Sequence, residues 1–487
     1  MADIQEGRRT AAMLSRRDFF KVTGAAGALG TVGCSADTQP ARRADHTLRI
    51  SRGLVELAPD RVVSTTLYNG QFPGPLLRFT EGKPTLVDVY NDTDIPEQLH
   101  WHGQTLPAEV DGAAEEGTPF IPARGMRRIA FTPGPAGFRF YHTHLAAGAD
   151  LGLGQYTGQV GPVYIEPKRD PGAYDQEVFV TLKEFEPAFS RKPDMPHDFL
   201  AGEVVSELLG QTTRTQSSVH GYEVGYRACA VNGRMLGHGE PIRVKTGERV
   251  LLHILNGSAT ENHGLALPGH TFTVIALDGN PVPKPVAVPV LWLGTAERIS
   301  AIVEMTTPGV WVLGDLSDTA RDRGMGIVVE YSGHSGSPRW VTPPAFHWDY
   351  RLFTASDRSW VAPERGFEML IEKHHVTDDG FTVWTINRRH FSMDAEPILE
   401  LDHGKRYRLR LRNASGDIHP MHLHRHSFEI TAIAGTPTAG LHKDVVMLGS
   451  HQVMEIDFVA DQTGLSLLHC HMQLHMDYGL MALLHCR

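Results

Sequence analysis

Near its C-terminus the chain reads LLHCHMQLHMDYGLM (467–481), with His469, Cys470, His471 and His475 inside seven positions. Three more His-x-His pairs occur: His100/His102 in HWHG, His142/His144 in HTH and His422/His424 in HPMHLH. On a strand, residues i and i+2 share a face, so each pair aims two imidazoles at a common point. Imidazoles gathered without a carboxylate pattern suit Zn, Cu, Fe or Ni. In HCH the cysteine points to the face opposite its neighbours, so it serves a second site across the strand. Its candidate partners are His475, five residues on, and His419, which precedes Pro420 and can leave the strand's alternation. One thiolate with two imidazoles and a weak axial position is a blue-copper arrangement, whereas structural zinc closes with four firm ligands.

These pairs must be positioned by strands, and an internal repeat shows how. YNGQFPGPLLRFTEGKPTLVDVYN (68–91), VNGRMLGHGEPIRVKTGERVLLHILN (231–256) and INRRHFSMDAEPILELDHGKRYRLRLRN (386–413) align, each ending on an Asn (Asn91, Asn256, Asn413) nine residues after a Gly. TLVDVYN, RVLLHILN and RYRLRLRN alternate with the period of half-buried strands, which predicts an all-β chain of three Greek-key β-sandwich domains. Counting nine from each Asn reaches His100, Leu265 and His422; counting five from the shared Gly137, Gly309 and Gly464 reaches His142, Gly314 and His469. The first and third copies therefore carry two His-x-His pairs each, and the middle copy has lost both. If those copies pack face to face, eight imidazoles converge. The other histidines, His263, His270, His374 and His375 among them, read as ordinary core or surface residues.

At 487 residues the chain is long enough for about three domains, and 49 Gly with 31 Pro favour short strands joined by turns. The expected division is a signal and linker over 1–45 and domains at 46–170, 171–335 and 336–487, with the polar stretch from Glu186 to Arg227 shaping a pocket or an interface. A formal charge of −10 without a basic stripe argues against nucleic acid as a partner. SRRDFFK, followed by VTGAAGALGTVGC, resembles a twin-arginine export signal too short to span a membrane, which implies a periplasmic or extracellular protein. Cys34 stands in a loose lipoprotein-type box and is a candidate lipid anchor. Cys229 and Cys486 could pair in an oxidising compartment. Oligomeric state is left open.

HWHG (100–103), HTH (142–144), HPMHLH (419–424) and HCHMQLH (469–475), with YNGQFPGP near the start, closely resemble the copper-binding motifs of the multicopper oxidases, the laccase-like enzymes, over about residues 46–487. The resemblance implies three cupredoxin domains and four copper ions. It makes His419, Cys470 and His475 the type 1 ligands, with Leu480 at the axial position and Met481 beside it. His100 and His422 become type 2 ligands, and His102, His142, His144, His424, His469 and His471 hold the type 3 pair. It further implies that a reductant gives electrons singly at the type 1 copper, past the edge of His475, and that O2 is reduced to water at the trinuclear cluster. Asp111 sits where the family keeps an acid beside that cluster. The acid some relatives carry after HCH is replaced by Gln473 or Met476, leaving Asp477 nearby.

A leucine in place of a thioether favours a high potential and hence oxidation of phenols or other small aromatic reductants. The alternatives are oxidation of Cu(I) or another metal ion in copper tolerance, or copper binding without turnover. The 15 methionines form no rich insert, which disfavours the first alternative. Retention of every ligand position disfavours the second.

Overall fold

A computed structural model describes residues 42–168, 173–190, 221–355 and 361–487. The export motif, Cys34 and most of the polar stretch 186–227 lie outside them. The ends of that stretch are strand: Gln176–Ser190 pairs antiparallel with Glu223–Val231.

Six sheets fall in sequence order into three pairs, giving three cupredoxin-like sandwiches. The sheet that matters for the site has the same order in each. In the first it runs Leu77–Thr80, Val160–Glu166, Gly137–His142, His100–His102. In the second it runs Ile242–Val244, Gly326–Tyr331, Val310–Asp315, His263–Ala266, Leu291–Leu293. In the third it runs Leu399–Leu401, Met481–Cys486, Gly464–Cys470, His419–Leu423, Val445–Leu448. The first strand pair is parallel in all three and the following pairs are antiparallel, so equivalent residues reach equivalent places.

Of the repeat's strands RYRLRLRN keeps the expected alternation, whereas RVLLHILN, contrary to that expectation, is buried on both faces from Val250 to Asn256. In RYRLRLRN, Tyr407, Leu409 and Leu411 face the core, while Arg408 and Arg410 lie on the other face and pair with Asp457, Glu455 and Glu368. The shared asparagines close the turn that leads to each site strand. Asn91, Asn256 and Asn413 donate through Nδ2 to the carbonyls of Ile95, Glu261 and Asp417, at 2.8, 2.8 and 2.6 Å. Their Oδ1 atoms accept from the backbone N–H of Thr93, Ser258 and Ser415. Asx turns of this kind supply buried backbone groups with partners where no ladder can.

Cys229 and Cys486 do not pair, contrary to the sequence expectation. Both are buried free thiols, and Cys486 Sγ donates to the Ala460 carbonyl at 3.3 Å. Each belongs to the packing of its own sandwich, one on Glu223–Val231 and the other on Met481–Cys486.

Where the outer sandwiches carry histidine pairs, the middle one buries Leu265, Leu267 and Gly314. It also buries an ion triad: His263 Nδ1 donates to Asp315 Oδ2 at 2.8 Å and Nε2 to Glu184 Oε1 at 2.5 Å. Burial alone would lower the His263 pKa, but the two carboxylates raise it to about 10; in turn His263, with Ser258 and Lys183, holds Glu184 below its usual range against the opposing effect of burial. A raised histidine stabilises fully below its unfolded value of 6.5 and loses that contribution as pH climbs through 10. Glu184 contributes above its unfolded value of 4.5 and loses it in acid. His263→Leu strands two buried carboxylates and is expected to cost about 3–5 kcal/mol near pH 6. Thermal unfolding of metal-free protein should show that difference shrinking steadily toward pH 10.

Candidate metal centre

His100 sits opposite His142 on the antiparallel pair His100–His102 and Gly137–His142. His422 sits opposite His469 on the pair His419–Leu423 and Gly464–Cys470. These two arrangements are repeat equivalents, and they face each other. The rings of His100 and His424 stack at 4.0 Å, and those of His102 and His422 at 3.8 Å.

Ligand-capable atoms of His102, His142 and His471 lie within 4.8 Å of one another, as do those of His144, His424 and His469, and those of His100, His102 and His422. Exchanging repeat equivalents turns the first trio into the second. The centre therefore has an approximate two-fold symmetry that runs through two sandwiches.

The outer ring nitrogens are held by hydrogen bonds. His100 Nδ1 donates to the Asp111 carbonyl at 3.0 Å, His142 Nδ1 to Thr143 O at 2.7 Å, His422 Nδ1 to Asp444 O at 2.7 Å and His469 Nδ1 to Cys470 O at 2.8 Å. Their partners fix the tautomer and leave Nε2 pointing inward. His102 is reversed: its Nε2 donates to Asp444 Oδ1 at 3.1 Å, leaving Nδ1 inward.

Nε2 of His100, His142 and His422, Nδ1 of His102 and both nitrogens of His471 are buried without a hydrogen-bond partner. The Nε2 atoms of His424 and His469 face each other at 3.0 Å. A buried unpaired polar atom costs about 1–3 kcal/mol, and shared cations would satisfy these. Burial, reinforced by the neighbouring imidazoles, pushes His102, His142, His422, His424, His469 and His471 well below the ordinary histidine range. Neutral imidazole is the ligating form, so the donor set fits metal.

Besides Asp444, three acids from one short stretch border this group. Asp111 Oδ2 lies 3.0 Å from both His100 Nδ1 and His424 Nδ1. Glu116 Oε1 accepts from the Leu467 N–H at 2.7 Å, and Glu115 Oε2 lies 3.4 Å from His144 Nδ1. Sequence reasoning reached Asp111 but missed Glu115 and Glu116, although PAEVDGAAEEG holds all three. Asp444 was missed as well. It is the counterpart of Asp111 across the two-fold: each offers its carbonyl to one histidine of its own sandwich and its carboxylate to one from the opposite sandwich.

On the other face of Gly464–Cys470 a second group forms. His419 Nδ1 and His475 Nδ1 are 3.2 Å apart, and Cys470 Sγ lies 3.6 and 3.5 Å from them. Ser415 Oγ donates to Asn413 Oδ1 and so accepts from His419 Nε2 at 3.0 Å, which leaves Nδ1 toward the sulfur. Trp384 packs on both rings, with centroids 4.7 and 4.6 Å away. Burial pushes the Cys470 thiol up, so its thiolate needs a cation beside it.

Leu480 is fully buried in the core cluster that contains Cys470. Met481 is opposite His469 in the ladder and packs with Phe391, Leu467 and Leu483, so it lies on the face away from Cys470. His475 rides on the short helix Gln473–Asp477, whose ends grip the first sandwich. Asp477 Oδ2 accepts from the N–H groups of Ala147 and Gly148 at 3.0 and 2.7 Å, and Gln473 Oε1 from Gln155 N–H at 3.0 Å.

A thiolate–bis-imidazole group joined through one strand to a buried nest of imidazoles defines a copper protein of the cupredoxin class. Family profiles described as multicopper oxidase match residues 51–170, 205–326 and 368–486. The chain is 29% identical over 504 residues to Multicopper oxidase MmcO of Mycobacterium tuberculosis, covering 98% of this chain and 94% of that one. It is 28% identical to Copper resistance protein A of Pseudomonas syringae pv. tomato over 62% of this chain and 54% of the relative. A solved multi-copper oxidase from Pseudomonas thermotolerans superposes with a TM-score of 0.68 at 25% identity, over 91% of this chain and 100% of that one. The chain belongs to the multicopper oxidase family, whose members are copper-dependent oxidoreductases using O2.

Proposed function

We propose that this oxidase is laccase-like, taking single electrons from phenols or other small aromatic reductants and reducing O2 to water. In this reading His419, Cys470 and His475 hold a type 1 copper, His100 and His422 a type 2 copper, and the trios His102/His142/His471 and His144/His424/His469 the type 3 pair. Copper bound there would supply one-electron redox chemistry and a binding place for O2. The observation that carries the reading is the convergence of Cys470 Sγ, His419 Nδ1 and His475 Nδ1 on one face of a strand whose next residues, His469 and His471, face the other group.

The chain's own residues divide the work. His475 is 7% exposed and offers the nearest edge to a reductant, while Trp384 excludes water from the imidazoles behind it. Cys470 is bonded through the backbone to both neighbouring histidines, so the two groups are separated by a few bonds of one strand at ~3.3 Å per residue. Asp111 holds His100 and His424 in register and lies where a proton would be needed.

Oxidation of Cu(I) or another metal ion is the second reading, favoured by the similarity to Copper resistance protein A. Against it, Asp417, two residues before His419, is already paired with Lys373 Nζ at 2.6 Å. Export by the twin-arginine route to the periplasm or beyond, with Cys34 as a lipid anchor, remains part of the proposal and rests on SRRDFFK and TVGC alone.

Copper analysis, a visible spectrum and O2 uptake with a phenol and with Cu(I) test the assignment. Four coppers per chain, an intense thiolate-to-copper band and faster phenol turnover are expected. Absence of the band would sink the type 1 assignment, and faster Cu(I) turnover would select the second reading. Leu480→Met puts a thioether beside Cys470 and is expected to lower the type 1 potential, measured by redox titration of the band, with slower oxidation of the least reducing phenols.

A further inference from the structure

We infer that Arg298, in the sandwich that carries none of the proposed ligands, is a positioning residue for the trinuclear site, acting through Asp444 to set the tautomer of His102. The inference rests on the ligand assignment proposed above.

Asp111 and Asp444 are two-fold counterparts, yet they hold their partner histidines differently. Asp111 takes His424 by Nδ1, as the other held rings are taken, whereas Asp444 takes His102 by Nε2. What distinguishes Asp444 is its surroundings. Arg298 NH1 donates to Oδ1 and NH2 to Oδ2, both at 2.6 Å, and Arg139 NH1 adds a bond to Oδ2 at 3.2 Å. A two-point fork of this kind fixes the plane of a carboxylate as well as its place, which a lysine cannot do.

Arg298 is itself immobilised. It is fully buried, its NH1 donates to Ala296 O at 3.0 Å and its NH2 to Asp278 O at 3.1 Å, and its guanidinium lies 5.6 Å from the Phe140 ring centroid. Asp278, also of the middle sandwich, accepts from the Asp444 N–H at 3.3 Å. The middle sandwich thus grips Asp444 at backbone and side chain together.

With both carboxylate oxygens facing donors, Asp444 can only accept, so His102 must donate from Nε2 and keep the lone pair on Nδ1 for the centre. His422, on the Asp444 carbonyl, is placed by the same residue. The loss of copper ligands from the middle repeat is therefore matched by a different duty, the alignment of a histidine in the first sandwich with ligands in the third.

The test uses the full chain, 15N-labelled on histidine and metal-free, with the His102 tautomer read from long-range 1H–15N correlations. Wild type is expected to carry the proton on Nε2. Arg298→Lys keeps the charge and loses the fork, so a measurable Nδ1–H population should appear. After copper loading, the variant should keep the type 1 band but release cluster copper at about 10- to 100-fold lower chelator concentration, the usual cost of losing an outer partner of a ligating histidine.

Asp444→Asn should show the same signature, and the double variant should lose no more than Asp444→Asn alone. An unchanged tautomer with unchanged chelator resistance in Arg298→Lys overturns the inference, as does additive loss in the double variant. If Arg298→Lys does not fold, Arg298→Gln is read in the same way. Wild type that binds no cluster copper would instead overturn the ligand assignment, which the metal-free tautomer measurement leaves separate.

Discussion

Cys470→Ser is expected to lose the visible charge-transfer band, one of the four proposed coppers and the proposed oxidation of phenols, while the remaining coppers stay bound. A serine hydroxyl is a hard, weakly acidic donor, whereas the thiolate is the soft ligand that a type 1 site requires. His419 Nδ1 and His475 Nδ1 would still face each other at 3.2 Å, but two imidazoles alone hold copper poorly. The buried imidazole nest on the other strand face keeps all its partners, because none of its hydrogen bonds uses the sulfur. Copper analysis and spectroscopy on the purified variant check both halves. Phenol oxidation at the wild-type rate would show that electrons do not come in through Cys470.

Asp111→Ala carries the second largest expected effect. The carboxylate and carbonyl of this residue meet His100 and His424 from opposite sandwiches, and its Oδ2 is equidistant, at 3.0 Å, from the Nδ1 atoms of both. Alanine keeps the carbonyl that holds His100 but removes the carboxylate, which leaves His424 Nδ1 without its partner and takes an acid away from the proposed cluster. O2 consumption should fall by at least about 10- to 100-fold, the range for losing such a partner. The type 1 group lies on the other strand face, so the band should still bleach rapidly on adding a phenol and then recover slowly in air. Slow bleaching with normal recovery would place the role of Asp111 on the wrong side of the reaction. Asp111→Glu would test how tightly the position matters, since Gly112 follows with φ 106° and a Cβ there would sit 1.9 Å from Leu99 O, leaving no room to re-route the turn.

How much of this was legible before folding depends on the range of the interaction. The alternation of RYRLRLRN, the three asparagine turns and the His-x-His pairs are all local, and strand geometry converts them directly into sheets and facing imidazoles. Repeat arithmetic carried the argument further, since equivalent positions in equivalent sheets must occupy equivalent places. It separated His469 and His471 from Cys470, and it showed that Leu265 and Gly314 stand in the middle copy where the other copies have histidines.

The sequence by itself therefore determined an all-β chain of three like domains, two histidine-bearing and one not, with a cysteine set against its neighbours. Only the tertiary structure decided which three histidines share each trio, because every trio draws on both the first and the third sandwich. It turned Met481 to the face away from Cys470, left Cys229 and Cys486 as separate core thiols, and brought Glu115, Glu116 and Asp444 to the ligand rings. Arg298 is the clearest case: it comes from a domain without ligands and no local pattern marks it. Its role arises from packing between sheets far apart in the chain, where a charge can be buried only if its partner arrives from another domain.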